Sequence, residues 1–236
     1  SYRFFGKASG HIPPYGEINV DSAIDALNNI MSIGYRPREE AYEQKCREAA
    51  QHVPPRGLQF CAGCPHRATS WAIKDALRMA GGNGVVAGDI GCYTMGIQAT
   101  GFSQVKTVHA MGSGMGLASG LGKLEQFHFE QPVLAMCGDS TFFHAAIPAL
   151  LNAVHNEADV VLVIVDNGGT AMTVFQPHPG VDRDAGGEIR PEINIEKLCE
   201  SLGIAVTVVD PYDIEATRNA FLEVLENRGK ARVVMS

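Results

Sequence analysis

The sequence predicts an α/β fold, a mainly parallel sheet flanked by helices on both faces. Three observations carry that expectation. Six apolar, β-branched runs recur along the chain: GVVAGD, VKTVHA, PVLAMCGD, VVLVIVDN, IAVTVVD and ARVVMS. Segments with helical spacing lie between most of them. Some of the runs are apolar on every residue, as strands buried on both faces must be, and helices supply that cover.

Two helical patterns of different composition come first. In DSAIDALNNIMSIG, Ala23, Ile24, Leu27, Ile30 and Met31 keep helical spacing, and Gly34 is a stop. PREEAYEQKCREAAQHVPPRG reads as a charged helix opened by Pro37 and closed by Pro54 and Pro55. Residues 1–55 therefore read as a helical linker or the end of a preceding domain, and residues 56–236 as one domain. Within that domain the helix ATSWAIKDALRMAG leads into GVVAGD, and GMGLASGLGKLEQF follows VKTVHA. TFFHAAIPALLNAVHN follows PVLAMCGD, and NIEKLCESLG follows VVLVIVDN after a long glycine-rich loop. DIEATRNAFLEVLENRG joins IAVTVVD to ARVVMS. There is no internal repeat. The start has neither an initiator Met nor a secretory leader, and the end stops on a strand pattern, so the sequence reads as a piece of a longer polypeptide.

Composition narrows the function classes. Hydrophobic residues make up 45% and charged residues 19% of 236, enough for a sizeable core. A net charge of −7 argues against a nucleic-acid surface. No apolar run approaches the ~20 residues that span a membrane. Six cysteines without a disulfide-framework pattern fit a reducing cytosol.

In parallel sheets ligands bind outside the carboxyl ends of the strands. The loops to inspect are therefore GDIGCYTMG, HAMGSGMG, GDSTF and DNGGTAMTVFQPHPG. Asp139 and Asn167 each end an apolar run, 28 positions apart, which is one helix plus one strand. A carboxylate and a carboxamide at one rim are hard oxygen ligands of the kind Mg²⁺ takes together with phosphate oxygens. A helix beginning near Thr141 would add free N–H groups for an anion. The bland alternative is a strand-end Asp and an ordinary Asn-Gly turn. MGSGMGLASG fails as a dinucleotide fingerprint, because after Gly112 and Gly114 the third glycine position is Leu117. Its glycines either let backbone approach a cofactor or serve tight helix packing.

These motifs carry a resemblance. Gly138-Asp139-Ser140 followed by Asn167 resembles the thiamine diphosphate motif. FCAGCPHR, GDIGCYTMG, GDSTFFHAAIPALLNAVHN and DNGGTAMTVFQPHPG together are similar to the 2-oxoacid:ferredoxin oxidoreductases, in particular the large (alpha) subunit of the indolepyruvate:ferredoxin enzymes. The likeness is strong over about residues 57–180. It implies a thiamine diphosphate-binding fold of the PP type, with Mg²⁺ held by Asp139, Asn167 and the carbonyl of Gly169. Gly138, Ser140, Thr141, Thr170 and Ala171 would bind the cofactor, with Gly91, Cys92 and Tyr93 on one loop and Gly112, Gly114 and Met115 on another. Ser140 stands where many such enzymes have glycine, and a single Asn precedes Gly168. Neither change removes a ligand.

The cysteines keep three readings open: a [4Fe-4S] cluster on Cys61, Cys64 and Cys92, a zinc site with His66, or inert thiols. The resemblance favours the cluster and puts its fourth ligand beyond Ser236; Cys199 matches that position poorly. His66 and His178 are candidate groups for binding the substrate carboxylate or moving a proton, against a plain capping or surface role. His109, His144 and His155 read as structural. The activity implied is oxidative decarboxylation of a 2-oxo acid such as an aryl pyruvate, with coenzyme A taking the acyl group and ferredoxin the electrons. The partners implied are a pyrimidine-binding domain that brings an activating glutamate, a ferredoxin-like cluster domain, a small beta subunit and a dimeric or hetero-oligomeric assembly. This stretch alone is expected not to turn over. A non-oxidative thiamine decarboxylase or synthase, and a non-catalytic interaction module, remain as alternatives.

Overall fold

The computed structural model describes residues 2–14, 18–54 and 57–236. The chain divides into two compact units, the first ending at Gly57 and the second beginning at Leu58.

The first unit holds helices α1 (Val20–Met31) and α2 (Glu40–Gln51). Asn19 caps α1 reciprocally with Ser22, which satisfies N–H groups that the first turn leaves free. The second helix differs from the expectation at its start. It begins at Glu40 with Glu39 at the cap, and Pro37 lies in the turn before it. Pro55 lies outside the described residues. Among the described residues, Ala26 is the only buried one of either helix.

The second unit is an α/β domain built on six parallel strands. They are β1 (Val85–Gly88), β2 (Val105–Val108), β3 (Val133–Gly138), β4 (Val160–Val165), β5 (Val206–Val208) and β6 (Ala231–Met235), one for each apolar run. Their order across the sheet is β2-β1-β3-β4-β6-β5. All of β4, and all of β3 except Gly138, is buried, so both faces of the central strands are covered. The helices are α3 (Pro65–Met79), α4 (Ser113–Leu121), α5 (Asp139–Thr141), α6 (Ile147–His155), α7 (Ile195–Ser201) and α8 (Ile214–Glu226). The helix α3 packs on α8, and α4 packs on α6, β1 and β3.

One local feature matters for the site. From Asp139 to His155 the chain is continuously helical, but Phe142–Ala146 form a π turn between α5 and α6. Pro148 has no N–H to give the regular ladder, and the Ile147 N–H reaches back to Phe142. The extra residue sits one turn after Asp139.

Candidate functional site

Strand order places the site. From β1 the chain crosses to β2 on one side, and from β3 it crosses to β4 on the other. The carboxyl ends of β1 and β3 therefore flank a topological switch point, where open sheets leave a crevice. A cavity of about 140 Å³ lies there. Its walls include His66, Gly91, Cys92 and Tyr93 on one side, and Gly138 to Thr141, Asn167 and Gly169 to Thr173 on the other.

Register explains why two distant residues meet. Gly138 pairs with Val165 in neighbouring parallel strands, so Asp139 and Asp166 leave the sheet at one level. The Asp139 carboxylate is buried and gathers donors. Its Oδ2 accepts from the backbone N–H groups of Asn167 (3.3 Å), Gly168 (2.8 Å) and Gly169 (3.1 Å). His178 Nε2 lies 3.1 Å from the same oxygen. Among the described residues its Oδ1 accepts only from the Ser140 N–H, at 2.7 Å. Ser140 Oγ in turn accepts from Thr170 Oγ1 at 2.8 Å, which ties the helix start to the loop after β4.

Asn167 presents the opposite situation. Its Nδ2 lies 3.3 Å from His66 Nε2, while its Oδ1 is buried without a hydrogen-bond partner among the described residues. A buried carboxamide oxygen left unpaired carries a desolvation cost unless something binds it. Together with the spare capacity of Asp139 Oδ1, this is a donor set that fits a hard cation such as Mg²⁺.

The other side of the crevice holds a carboxyl group that sequence reasoning missed. Asp89 follows Gly88 at the end of β1 and is fully buried. Tyr93 Oη donates to Asp89 Oδ1 and lies 3.4 Å from Thr141 Oγ1; the Gly114 N–H reaches Asp89 Oδ2 at 3.4 Å. Burial raises the Asp89 pKa, opposed by the bonds from Tyr93 and the backbone. Burial, then the Asp89 carboxylate, drives the Tyr93 phenol up as well. Burial also lowers the His66 pKa, against the opposing charge of Asp139. Asp166, also missed, is exposed as a residue, yet desolvation of its carboxyl and then the adjacent Asp139 raise its pKa. The available signals were the repeat of Gly-Asp at a second strand end, and the Asp directly before Asn167.

Not every candidate reaches the cavity. Gly112 takes a left-handed φ of 79°, and a Cβ there would come 2.2 Å from the Ala145 Cβ. A Cβ on Gly114 would come 2.9 Å from the Ala87 carbonyl oxygen. These glycines let α4 pack against β1 and the π turn, and Met115 is buried in the core; none of the three lines the cavity. Thr170 and Ala171 do line it. Cys61 is exposed, and Cys64 and Cys92 are half-buried. Burial, then the neighbouring Cys64 and Cys61, raises the Cys92 pKa. Among the described residues no three His, Cys, Asp or Glu side chains converge to hold a metal ion. Cys61 and Cys64 thus lie within electrostatic reach of Cys92. Cys199 is buried on α7, and burial pushes its thiol up to about 11.

Comparison with known proteins bears on this crevice. The indolepyruvate oxidoreductase subunit IorA of Methanothermobacter thermautotrophicus is 37% identical over 236 residues, covering 97% of this chain and 36% of that protein. The subunit of the same name from Archaeoglobus fulgidus is 35% identical over 231 residues, covering 98% and 36%. The chain thus spans about a third of the length of these curated relatives. Among solved structures, 2-oxoglutarate:ferredoxin oxidoreductase from Magnetococcus marinus superposes with a TM-score of 0.61 at 15% identity, over 77% of this chain and 64% of that one. Benzoylformate decarboxylase from Polynucleobacter necessarius gives 0.53 at 15%, over 91% and 39%. Both share the fold. Residues 89–235, from the buried Asp89 to the end of β6, match the model of the thiamine pyrophosphate enzymes' C-terminal TPP-binding domain, and the chain belongs to that family.

Proposed function

We propose that this chain is the metal-and-diphosphate half of the active site of a 2-oxoacid:ferredoxin oxidoreductase whose substrate is an aryl pyruvate such as indolepyruvate. The observation that carries the reading is the meeting of Asp139 with the unpaired Asn167 Oδ1 at one crevice of a TPP-binding domain. The choice among thiamine enzymes follows the relatives at 35–37% identity.

In this reading Asp139, Asn167 and the Gly169 carbonyl hold Mg²⁺. Ser140, Thr141 and Thr170 bind the diphosphate, aided by the N–H groups at the helix start. When bound, thiamine diphosphate would supply the nucleophilic carbon that adds to the 2-oxo group and the charged ring that takes up the electron pair left as CO₂ departs. The protein's own part is positional. Tyr93, anchored on Asp89, makes part of the wall beside Gly138 and Thr141. Ile90, Met111 and Met172 give the crevice an apolar lining. A [4Fe-4S] cluster on Cys61, Cys64 and Cys92 belongs to the same reading, supported by the closeness of the three thiols, and no step is routed through it.

Two features support a second protein surface over the crevice. Its volume of about 140 Å³ is below the roughly 300–1,000 Å³ of complete small-molecule sites. The loop beside it carries the exposed apolar residues Met172, Val174 and Phe175, the last two with left-handed backbone. A pyrimidine-binding domain carrying the activating glutamate fits there. The cluster domain, small beta subunit, ferredoxin and coenzyme A belong to the same proposal. All six cysteines are free, which suits a reducing cytoplasm. No helix among the described residues is long and apolar enough to cross a membrane.

Isothermal titration tests the core of the reading. Mg²⁺ and thiamine diphosphate added together should give saturable heat. Absence of heat at millimolar ligand overturns it.

A further inference from the structure

Both buried histidines beside the crevice face the two clamp side chains. His178 Nδ1 accepts the Gly180 N–H at 3.0 Å. A ring nitrogen that accepts carries no proton, so the neutral ring has its hydrogen on Nε2, which donates to Asp139 Oδ2 at 3.1 Å. The His178 and Asp139 side chains are 1% and 3% exposed, and the Phe143 ring lies against the imidazole with centroids 5.5 Å apart. At the other clamp residue, His66 Nε2 lies 3.3 Å from Asn167 Nδ2. The amide donates, so His66 must carry its hydrogen on Nδ1. The reverse amide orientation would turn Oδ1 to His66 and aim two N–H donors at the place of a cation.

We propose that His178 and His66 are positioning residues of the metal clamp. Each holds one clamp side chain by the atom that does not coordinate, and leaves Asp139 Oδ1 and Asn167 Oδ1 for Mg²⁺. This rests on the clamp described under Proposed function and changes the role of two residues that the sequence offered as acid–base or substrate groups. Both His178 ring nitrogens and the His66 Nε2 are engaged in these contacts. Hydrogen-bond partners of metal ligands fix ligand orientation in this way, and their loss typically weakens metal binding 10–100-fold.

The two rings should therefore be opposite tautomers, which a generic structural role would not require. Long-range ¹H–¹⁵N spectra of ¹⁵N-histidine-labelled chain, assigned with His66→Gln and His178→Gln, read the tautomers directly. The expected result is Nε2–H on His178 and Nδ1–H on His66. Nε2–H on His66 overturns the proposal whatever the variants' metal affinity. Electron paramagnetic resonance with Mn²⁺ and thiamine diphosphate then measures affinity. His178→Ala and His66→Ala should each weaken Mn²⁺ binding ~10–100-fold. The Gln variants, which keep a donor or an acceptor at about the same reach, should recover most of it. If the unaltered chain fails to bind Mn²⁺ with thiamine diphosphate, the clamp itself falls and this inference with it. If it binds and the Ala variants bind equally well, only the positioning role falls.

Discussion

Two strand ends of this molecule carry the same dipeptide and put it to different uses. Gly88-Asp89 closes β1 and Gly138-Asp139 closes β3, side by side at the switch point of the sheet. Both aspartates are buried. Asp139 meets three backbone N–H groups and a histidine on one oxygen, and keeps the other nearly free. Asp89 meets a phenol and one long backbone contact, and burial raises its pKa. The dipeptide does not decide the role. The number and aim of nearby donors decide it, by leaving one oxygen of Asp139 nearly free and making Asp89 an anchor for Tyr93.

The largest break in this comparison comes from Asp139→Ala. It removes the acceptor of the Asn167, Gly168 and Gly169 N–H groups and of His178, several of them buried. Leaving buried donors unmatched costs about 1–3 kcal/mol apiece, partly relieved where water enters. Urea unfolding should show a loss of roughly 3 kcal/mol or more. Calorimetric binding of Mg²⁺ with thiamine diphosphate should vanish. A variant that still bound both would separate Asp139 from the metal altogether.

Much of this site is legible in the amino-acid sequence, for particular reasons. The six strands are, because apolar β-branched runs have few other uses. Asp139 and Asn167 are, because their spacing matches one helix plus one strand and the register delivers both to one level. The histidine contacts are not. His66 and Asn167 are 101 residues apart, and nothing local to either encodes the hydrogen bond. Asp89 stays hidden because the sequence shows a Gly-Asp turn, not the Tyr93 ring that folds back onto it. The glycines of MGSGMG show close approach but not its partner, which for Gly112 and Gly114 is Ala145 and β1 rather than a cavity wall.

Tyr93→Phe is the next test, on the other strand end. It deletes only the hydroxyl that donates to Asp89, so the ring still fills the wall beside Gly138. A hydrogen bond contributes about 0.5–1.5 kcal/mol between neutral groups and about 1.5–3 kcal/mol to a charged one, so the loss should fall within about 0.5–3 kcal/mol. Binding of Mg²⁺ and thiamine diphosphate should weaken only slightly, since the hydroxyl reaches Thr141 at a long 3.4 Å. A loss of binding as deep as that of Asp139→Ala would mean that both strand ends serve the ligand directly.

The smallest effect, and the one that sharpens the contrast most, is the pH dependence carried by Asp89. Its folded pKa lies above the ordinary aspartate value of 3.8, chiefly because burial disfavours the charge. Between those two values the folded chain keeps a proton that the unfolded chain has released. Linkage then makes stability fall as pH rises through that window and level off above the folded pKa. Asp89→Asn has no proton to lose there. It keeps an oxygen for the Tyr93 hydroxyl, so it should stay within about 1 kcal/mol of the parent at acidic pH. Above the window the variant should be relatively more stable, by an amount that grows across the window and then stays constant. Urea midpoints measured from pH 4 to 8 on both proteins read that difference. A constant offset at every pH would show that Asp89 titrates alike in the folded and unfolded chain, and that the donors around it balance its burial.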